Sequence, residues 1–314
     1  MRRVAQTFSS SRRAFIAAGS SWLALAALGR AQESSRTRLV LLGTAGGPTP
    51  KAKSSAPAQA IVVGDRIYLV DCGDGVARQL ALAKLPIGQL RAVFITHQHS
   101  DHNAGYGPLF LLGWPGGLST PVDTYGPPPL SDMTARLLEA YRYDIELRIA
   151  DEGRPALAPL IRPHDITEAG EVFKDDRVRV IAALNDHPPL RHSFAYRFDT
   201  TDRSVVISGD TRYSANVLKL AQGADVLVHE VVSRDFWERP NAPQPPAVVK
   251  HILASHTDVV DVGKLAAAAD VKTLVLSHFV PTEGPGTPTD DEWLAGARRH
   301  FKGKVVIARD LLEI

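Results

Sequence analysis

Three histidines and an aspartate fall within six residues of "FITHQHSDHNAG", at His97, His99, Asp101 and His102. An apolar run, "AVFI", leads straight into them. Residues two apart on an extended chain share a side, so His97 and His99 can project together. Asp101 and His102 lie on the turn that follows. Imidazoles suit zinc, iron or copper, and a carboxylate compensates the charge of a second divalent ion. A lone histidine is an ordinary surface or core residue. Four such groups at the end of a buried strand point instead to metal. Three later positions add the same chemistry at the ends of apolar runs: His187 in "NDH", Asp210 in "SGDT" and His278 in "LSHF".

The loop has the form H-x-H-x-D-H. With the three later residues in the same order, it resembles the metallo-β-lactamase superfamily over residues 37–314. Carried over residue by residue, the resemblance implies a first ion held by His97, His99 and His187. It implies a second held by Asp101, His102 and His278, with Asp210 bridging both; Asp101 counts among the catalytic residues as well. The implied cofactor is two divalent metal ions, most simply Zn2+, although iron and manganese accept the same ligands. Two ions roughly 3.5–4 Å apart would hold a bridging water, lower its pKa towards neutrality and supply a hydroxide nucleophile.

Finer motifs resemble the ribonuclease Z and arylsulfatase-like branch of that superfamily. They are "LLGTAGGPTP", "DCGDGVARQL", "GDTRYS" around Asp210, "VHEVV" with Glu230, and "ASHTD" with His256, 22 residues before His278. In that branch such a histidine protonates the leaving group, and a carboxylate suits the task of orienting it. The plainer readings are a solvated strand-end carboxylate for Glu230 and a surface histidine for His256. Asp71 and Asp74 are either partners of ligand histidines or turn carboxylates. "GTAGG" lacks the lysine and helix of a nucleotide loop, so it reads as a tight turn. His164, His192, His251 and His300 have no motif support. Cys72, the only cysteine, rules out an intramolecular disulfide and reads as a small buried residue.

The elements that must position these groups are mostly short apolar runs. "RLVLLGTAGG", "AQAIVVGD" and "RIYLVDCGDG" predict strands, with Gly64-Asp65 as a hairpin turn, and "VARQLALAKL" predicts a helix. "RAVFITH" predicts a strand buried on both faces. From Tyr106 to Gly170 the pattern weakens to one strand, "VDTYGP", and a helix from Ser131 to about Tyr143, capped by Ser131. Strands return in "RVRVIAALNDH", "SFAYRFD", "RSVVISGD", "ADVLVHE" and "KTLVLSHF". Helices are expected over "DVVDVGKLAAAAD" and Asp290 to Phe301, before a last strand, "KVVIAR". This predicts an α/β fold of two packed sheets with helices outside. The resemblance makes it an αβ/βα four-layer sandwich of two mixed β-sheets, one domain over residues 32–314.

Residues 1–31 read as a signal peptide. Arg12-Arg13 precede an apolar run that is too short and interrupted to span a bilayer, which needs about 20 residues, and small residues follow. S-R-R-x-F-I resembles a twin-arginine export signal, so a periplasmic or otherwise exported protein without a stable membrane anchor is expected. Removing that segment takes away five arginines and no acid, turning the formal charge from +2 to −3. A mildly acidic body is a poor electrostatic match for a polyanion. The tRNA-processing relatives also carry a long basic arm between the third histidine and the bridging aspartate, where this chain has only residues 188–209.

The expectation is therefore a hydrolase of small sulfate or phosphate esters, with a small anionic ester as partner and no nucleic acid. Trp114, Tyr125, Tyr141, Phe236 and Trp237 are candidates to border the cleft. A lactonase or β-lactamase is the alternative, with Tyr213 near the site. Behind both stand a ribonuclease Z-type endoribonuclease and a non-catalytic metal-binding protein. The oligomeric state is left open, a homodimer included.

Overall fold

Two seven-stranded sheets face each other in a computed structural model that describes residues 36–314. The expected signal peptide lies outside the described residues. The first sheet is built from β1 (Thr37–Gly43), β2 (Ala58–Val63), β3 (Arg66–Val70), β4 (Leu90–Phe94), β5 (Val122–Gly126) and β6 (Ile161–Asp165), in that order. The second holds β7 (Gly170–Lys174), β8 (Arg179–Leu184), β9 (Phe194–Asp199), β10 (Ser204–Ile207), β11 (Val226–Val232), β12 (Thr273–Val280) and β13 (Lys304–Ile307). The chain then crosses back, and β14 (Leu312–Glu313) pairs with β1.

Each half runs antiparallel first and parallel afterwards. β1 to β3 are antiparallel and β3 to β6 parallel. β7 to β10 are antiparallel and β10 to β13 parallel. Gly64, at φ 61°, makes the tight β2–β3 turn where the sequence places it. Parallel strands need helical crossovers, and these cover the outer faces. The αβ/βα sandwich of two mixed sheets is the observed fold.

β4 shows why this packing is stable. Successive side chains of a strand face opposite ways. Ala92 and Phe94 enter the layer between the sheets, while Val93 and Ile95 join the layer beneath the outer helices Val76–Leu82 and Tyr106–Gly113. The Phe94 ring centroid lies 5.2–5.9 Å from those of Tyr125, Phe173, Tyr196 and Phe198, knitting both sheets together. Burying one such side chain stabilises by about 1.5–3 kcal/mol. The strand that carries the ligand loop is thus among the best anchored.

Three of the longer helices escape the sequence pattern. Tyr106–Gly113 is apolar nearly all round, which hides its period. Arg142–Glu152 is largely exposed, and Pro246–Ser255 follows a proline-rich loop. The weakly patterned β6 and β7 are the exposed ends of the two sheets. Ser131 does not cap its helix: the helix spans Leu130–Ala140, and the Ser131 N–H donates to Asp165 at 3.1 Å. The helix expected to reach Phe301 ends at Arg298, with a Thr289–Glu292 capping box at its start. Among the described residues no helix is long and apolar enough to cross a membrane.

Candidate metal centre

The ligand-type residues gather beyond the carboxyl ends of the central strands, where open α/β sheets form their clefts. His97, His99, Asp101 and His102 follow β4, with Asp101 and His102 in a single helical turn, Ser100–Asn103. His187 follows β8, Asp210 follows β10, and Glu230 and His278 lie near the ends of β11 and β12. Gly209 turns the chain into Asp210 at φ 58°, and a Cβ there would come within 2.7 Å of the Phe194 carbonyl oxygen. His278 is aimed by a bulge. Pairing passes from Glu230–Ser277 to Val231–Phe279, leaving His278 unpaired at φ 48°.

Two groups of ligand atoms result. His97, His99 and His187 form the first: His99 Nδ1 is 3.0 Å from His97 Nε2 and 3.1 Å from His187 Nε2. Asp101, His102, Asp210 and His278 form the second. There His102 Nε2 is 3.3 Å from Asp210 Oδ1, and His278 Nε2 is 3.2 Å from Asp210 Oδ2 and 3.4 Å from Asp101 Oδ2. Asp210 also reaches the first group, 3.9 Å from His97 Nε2.

A second layer fixes the rings. Asp71 Oδ2 accepts from His102 Nδ1 at 2.8 Å, and its other oxygen accepts the Thr96 N–H at 2.8 Å. The Thr96 hydroxyl donates to Asp71 and lies 3.0 Å from His97 Nδ1. His187 Nδ1 donates to the Ser255 carbonyl at 2.9 Å. With Nδ1 engaged, each ring turns Nε2 inwards. Asp74, by contrast, is exposed.

The electrostatics divide along the same line. Burial holds His97, His99 and His187 in the neutral form, His187 down to about 4. Burial works against a charged His102 as well, but Asp210, Asp71 and Asp101 outweigh it and raise its pKa. Burial also opposes ionised Asp101, yet His102 and His278 hold its carboxyl at about 2. The carboxylates that favour a proton on His102 favour a metal cation there equally. His102 Nε2 and Asp210 Oδ1 are buried without a hydrogen-bond partner. Such orphaned atoms cost free energy unless a ligand satisfies them. The donor set fits two divalent cations.

Beside this centre, His256 Nδ1 faces Glu230 Oε2 at 3.2 Å, and Glu230 Oε1 accepts the Thr257 N–H at 2.7 Å. Burial disfavours the imidazolium, but Glu230 outweighs it and lifts the His256 pKa to about 9. Glu230 is buried, not a solvated carboxylate. His256 packs 5.2 Å from the His187 ring and 5.7 Å from His278.

A cavity of about 740 Å³ opens over the centre, lined by His99, Asp101, His187, Asp210, His256 and His278. Phe236 and Trp237 line it as expected. Trp114 lies in the outer core, Tyr125 stacks between Phe94 and His164, and Tyr141 and Tyr213 are solvent-exposed. Lys51, Arg239 and His251 also line the cavity. Their neighbours in sequence carry no metal motif, so nothing local marks them.

The Beta-lactamase superfamily domain matches residues 66–279. This chain belongs to the metallo-β-lactamase superfamily, in its ribonuclease Z branch. It is 34% identical over 276 residues to a Ribonuclease Z of Mycobacterium bovis, covering 87% of this chain and 96% of that one. A Ribonuclease Z of Mycolicibacterium gilvum is 33% identical over 87% of this chain and 94% of that one. Human tRNase Z, short form, shares the fold at a TM-score of 0.66 and 22% identity, over 88% of this chain and 98% of that one.

These likenesses overturn the expectation of a small sulfate or phosphate ester substrate with no nucleic-acid partner. The missing arm misled. The 276 aligned positions take in 87% of 314 residues, leaving room for only a handful of gaps. The mycobacterial proteins named Ribonuclease Z therefore have no long arm in that span that this chain lacks. β9 and β10 fill residues 188–209 as the sequence indicates, but that feature does not separate the substrate classes. Net charge misled as well. A sum of −3 over the whole body says little about a cleft whose donors are built for two divalent cations.

Proposed function

We propose that this protein is a ribonuclease Z-type nuclease that hydrolyses a phosphodiester of RNA, with precursor tRNA as its substrate class. The 34% identity over 276 residues to a protein named Ribonuclease Z, covering 87% of this chain and 96% of that one, carries this reading. His97, His99 and His187 would hold one ion, Asp101, His102 and His278 the other, and Asp210 both. Zinc is the default from the donor set. When bound, the ions supply Lewis-acid neutralisation of the phosphate and activation of water.

The chain's own groups do the rest. Asp71 and Thr96 keep His102 and His97 in one orientation, so their Nε2 lone pairs need no rearrangement during turnover. Glu230 holds His256 charged at neutral pH, where it can give its proton to the departing ribose oxygen. Phe236 and Trp237 form an apolar wall that excludes water on one side. Asp101, Glu230 and His256 are the proposed catalytic set, Asp101 through the metal it would hold.

The test compares turnover of a 3′-extended tRNA, bis-p-nitrophenyl phosphate and p-nitrophenyl sulfate by the metal-loaded protein. We expect the tRNA to be cut with a kcat/KM at least about 100-fold above either small ester, as substrate contacts beyond the reacting group add to transition-state binding. Intact tRNA beside hydrolysed small esters would overturn the reading. The proposed export of this nuclease rests on Arg12-Arg13 and the apolar run after them. Fractionation of a tagged chain should find it outside the cytoplasm with both arginines and inside once both are replaced by lysine.

A further inference from the structure

The cavity over the metal centre does not end there. A neighbouring surface groove of about 700 Å³ shares Trp237, Arg239 and Gln244 with it, and Lys250 lies along that groove. Arg239 stands at the junction. Its guanidinium carbon lies 3.7 Å from the centre of the Phe236 ring, and Nη2 donates to the Pro285 carbonyl at 3.2 Å. Gly286, at φ 74°, packs so closely that a Cβ there would come within 2.5 Å of Nη1. The guanidinium plane is thus held on three sides. Yet Nε is buried without a hydrogen-bond partner, and among the described residues no carboxylate lies within 4.0 Å.

An arginine fixed in this way, without a counter-charge, is organised for an anion. The carboxylates that line the cavity, Asp101, Asp210 and Glu283, carry three negative charges against the four positive charges of two divalent cations. Stacking on Phe236 leaves the edge of the guanidinium for hydrogen bonding, the geometry that suits a phosphodiester.

We propose that Arg239 is a phosphate anchor for RNA. It binds a phosphodiester next to the scissile one and directs the strand from the metals into the groove beside helix Pro246–Ser255. This rests on the RNA reading above and names how that substrate is held.

The test uses full-length, metal-loaded protein carrying Arg239→Ala or Arg239→Lys, with metal content checked for both. The substrates are a 3′-extended tRNA and bis-p-nitrophenyl phosphate, which has no neighbouring phosphate. A charge-assisted pair lost from Arg239→Ala should raise KM for tRNA about tenfold or more while kcat falls less than about threefold. The salt dependence of log KM should shrink by about one unit of slope. The small diester should lose less than about threefold in kcat/KM, and Arg239→Lys should recover part of the tRNA loss by keeping the charge. Unchanged KM and salt slope for tRNA would overturn the proposal, as would equal losses on both substrates, which mark a bracing role. A wild-type protein that neither binds nor cuts tRNA would remove the reading beneath the proposal, and the proposal with it.

Discussion

Asp71, just past β3 of the first sheet, and Glu230, within β11 of the second, are two buried carboxylates in closely matched surroundings. Each accepts from one imidazole Nδ1, His102 at 2.8 Å and His256 at 3.2 Å. Each also accepts one backbone N–H closely, Thr96 at 2.8 Å and Thr257 at 2.7 Å. The difference lies beyond the ring. His102 Nε2 looks onto Asp210 and Asp101 at 3.3 and 3.6 Å, whereas Glu230 is the carboxylate hydrogen-bonded to His256. Two further carboxylates within 3.6 Å suit the His102 pair to a cation, whereas the His256 pair, bonded to Glu230 with Asp210 within 4.8 Å, suits a proton.

That contrast can be broken at the residue both sides depend on. Among the described residues, Asp210 is the carboxylate placed to serve both ligand groups, and Asp210→Ala removes it. The substitution should empty both positions and lower tRNA cleavage by about 10³-fold or more, since several kcal/mol of charge stabilisation go with the ions. Elemental analysis beside the rate measurement checks this. An active variant retaining two ions would contradict it.

Glu230→Gln should separate the two pairs. General acid catalysis contributes about 10²–10⁴-fold, so the rate on tRNA should fall about 100-fold with metal content unchanged. Loss of metal from this variant would place Glu230 in the ligand set instead. Asp71→Asn should behave the opposite way. Removing such a supporting group costs about 10–100-fold in metal affinity, and excess zinc should restore much of the rate. A rate that zinc does not restore would make Asp71 more than a support.

The smallest effect is in pH. Glu230 lifts the His256 pKa to about 9, so the protonated form persists through neutrality and is lost as pH rises through that value. Nearby divalent cations disfavour the imidazolium, so the alkaline limb of the loaded enzyme should lie somewhat below this. In Glu230→Gln the limb should move lower still, towards the ordinary histidine value of about 6.5. The stability of the pair follows the same sign: fully present below about 6.5, and lost as pH rises through about 9. A limb that does not move between the two proteins would detach it from His256.

How much of this was legible in the sequence depends on whether a residue's partners are local. His97, His99, Asp101 and His102 announce themselves because one loop supplies all four. His187, Asp210 and His278 are single residues scattered over the second half, and only their order after strands made them readable. The two sheets followed from apolar runs, while Tyr106–Gly113 did not, because a helix buried on most sides has no polar face to show. Arg239 and His251 were invisible: their relation to the metals comes from the folding of 236–256 across the cavity mouth. The substrate was misread for a related reason. An arm's absence and a net charge are properties of the whole chain, and the cleft is local.

One measurement bears on all of this: single-turnover cleavage of a 3′-extended tRNA before chelation, after it, and after zinc is returned. Protein holding two ions per chain should cleave the tRNA, lose cleavage when they are removed, and recover it when they are restored. Intact tRNA in the presence of fully loaded protein, or cleavage that persists without metal, would contradict it.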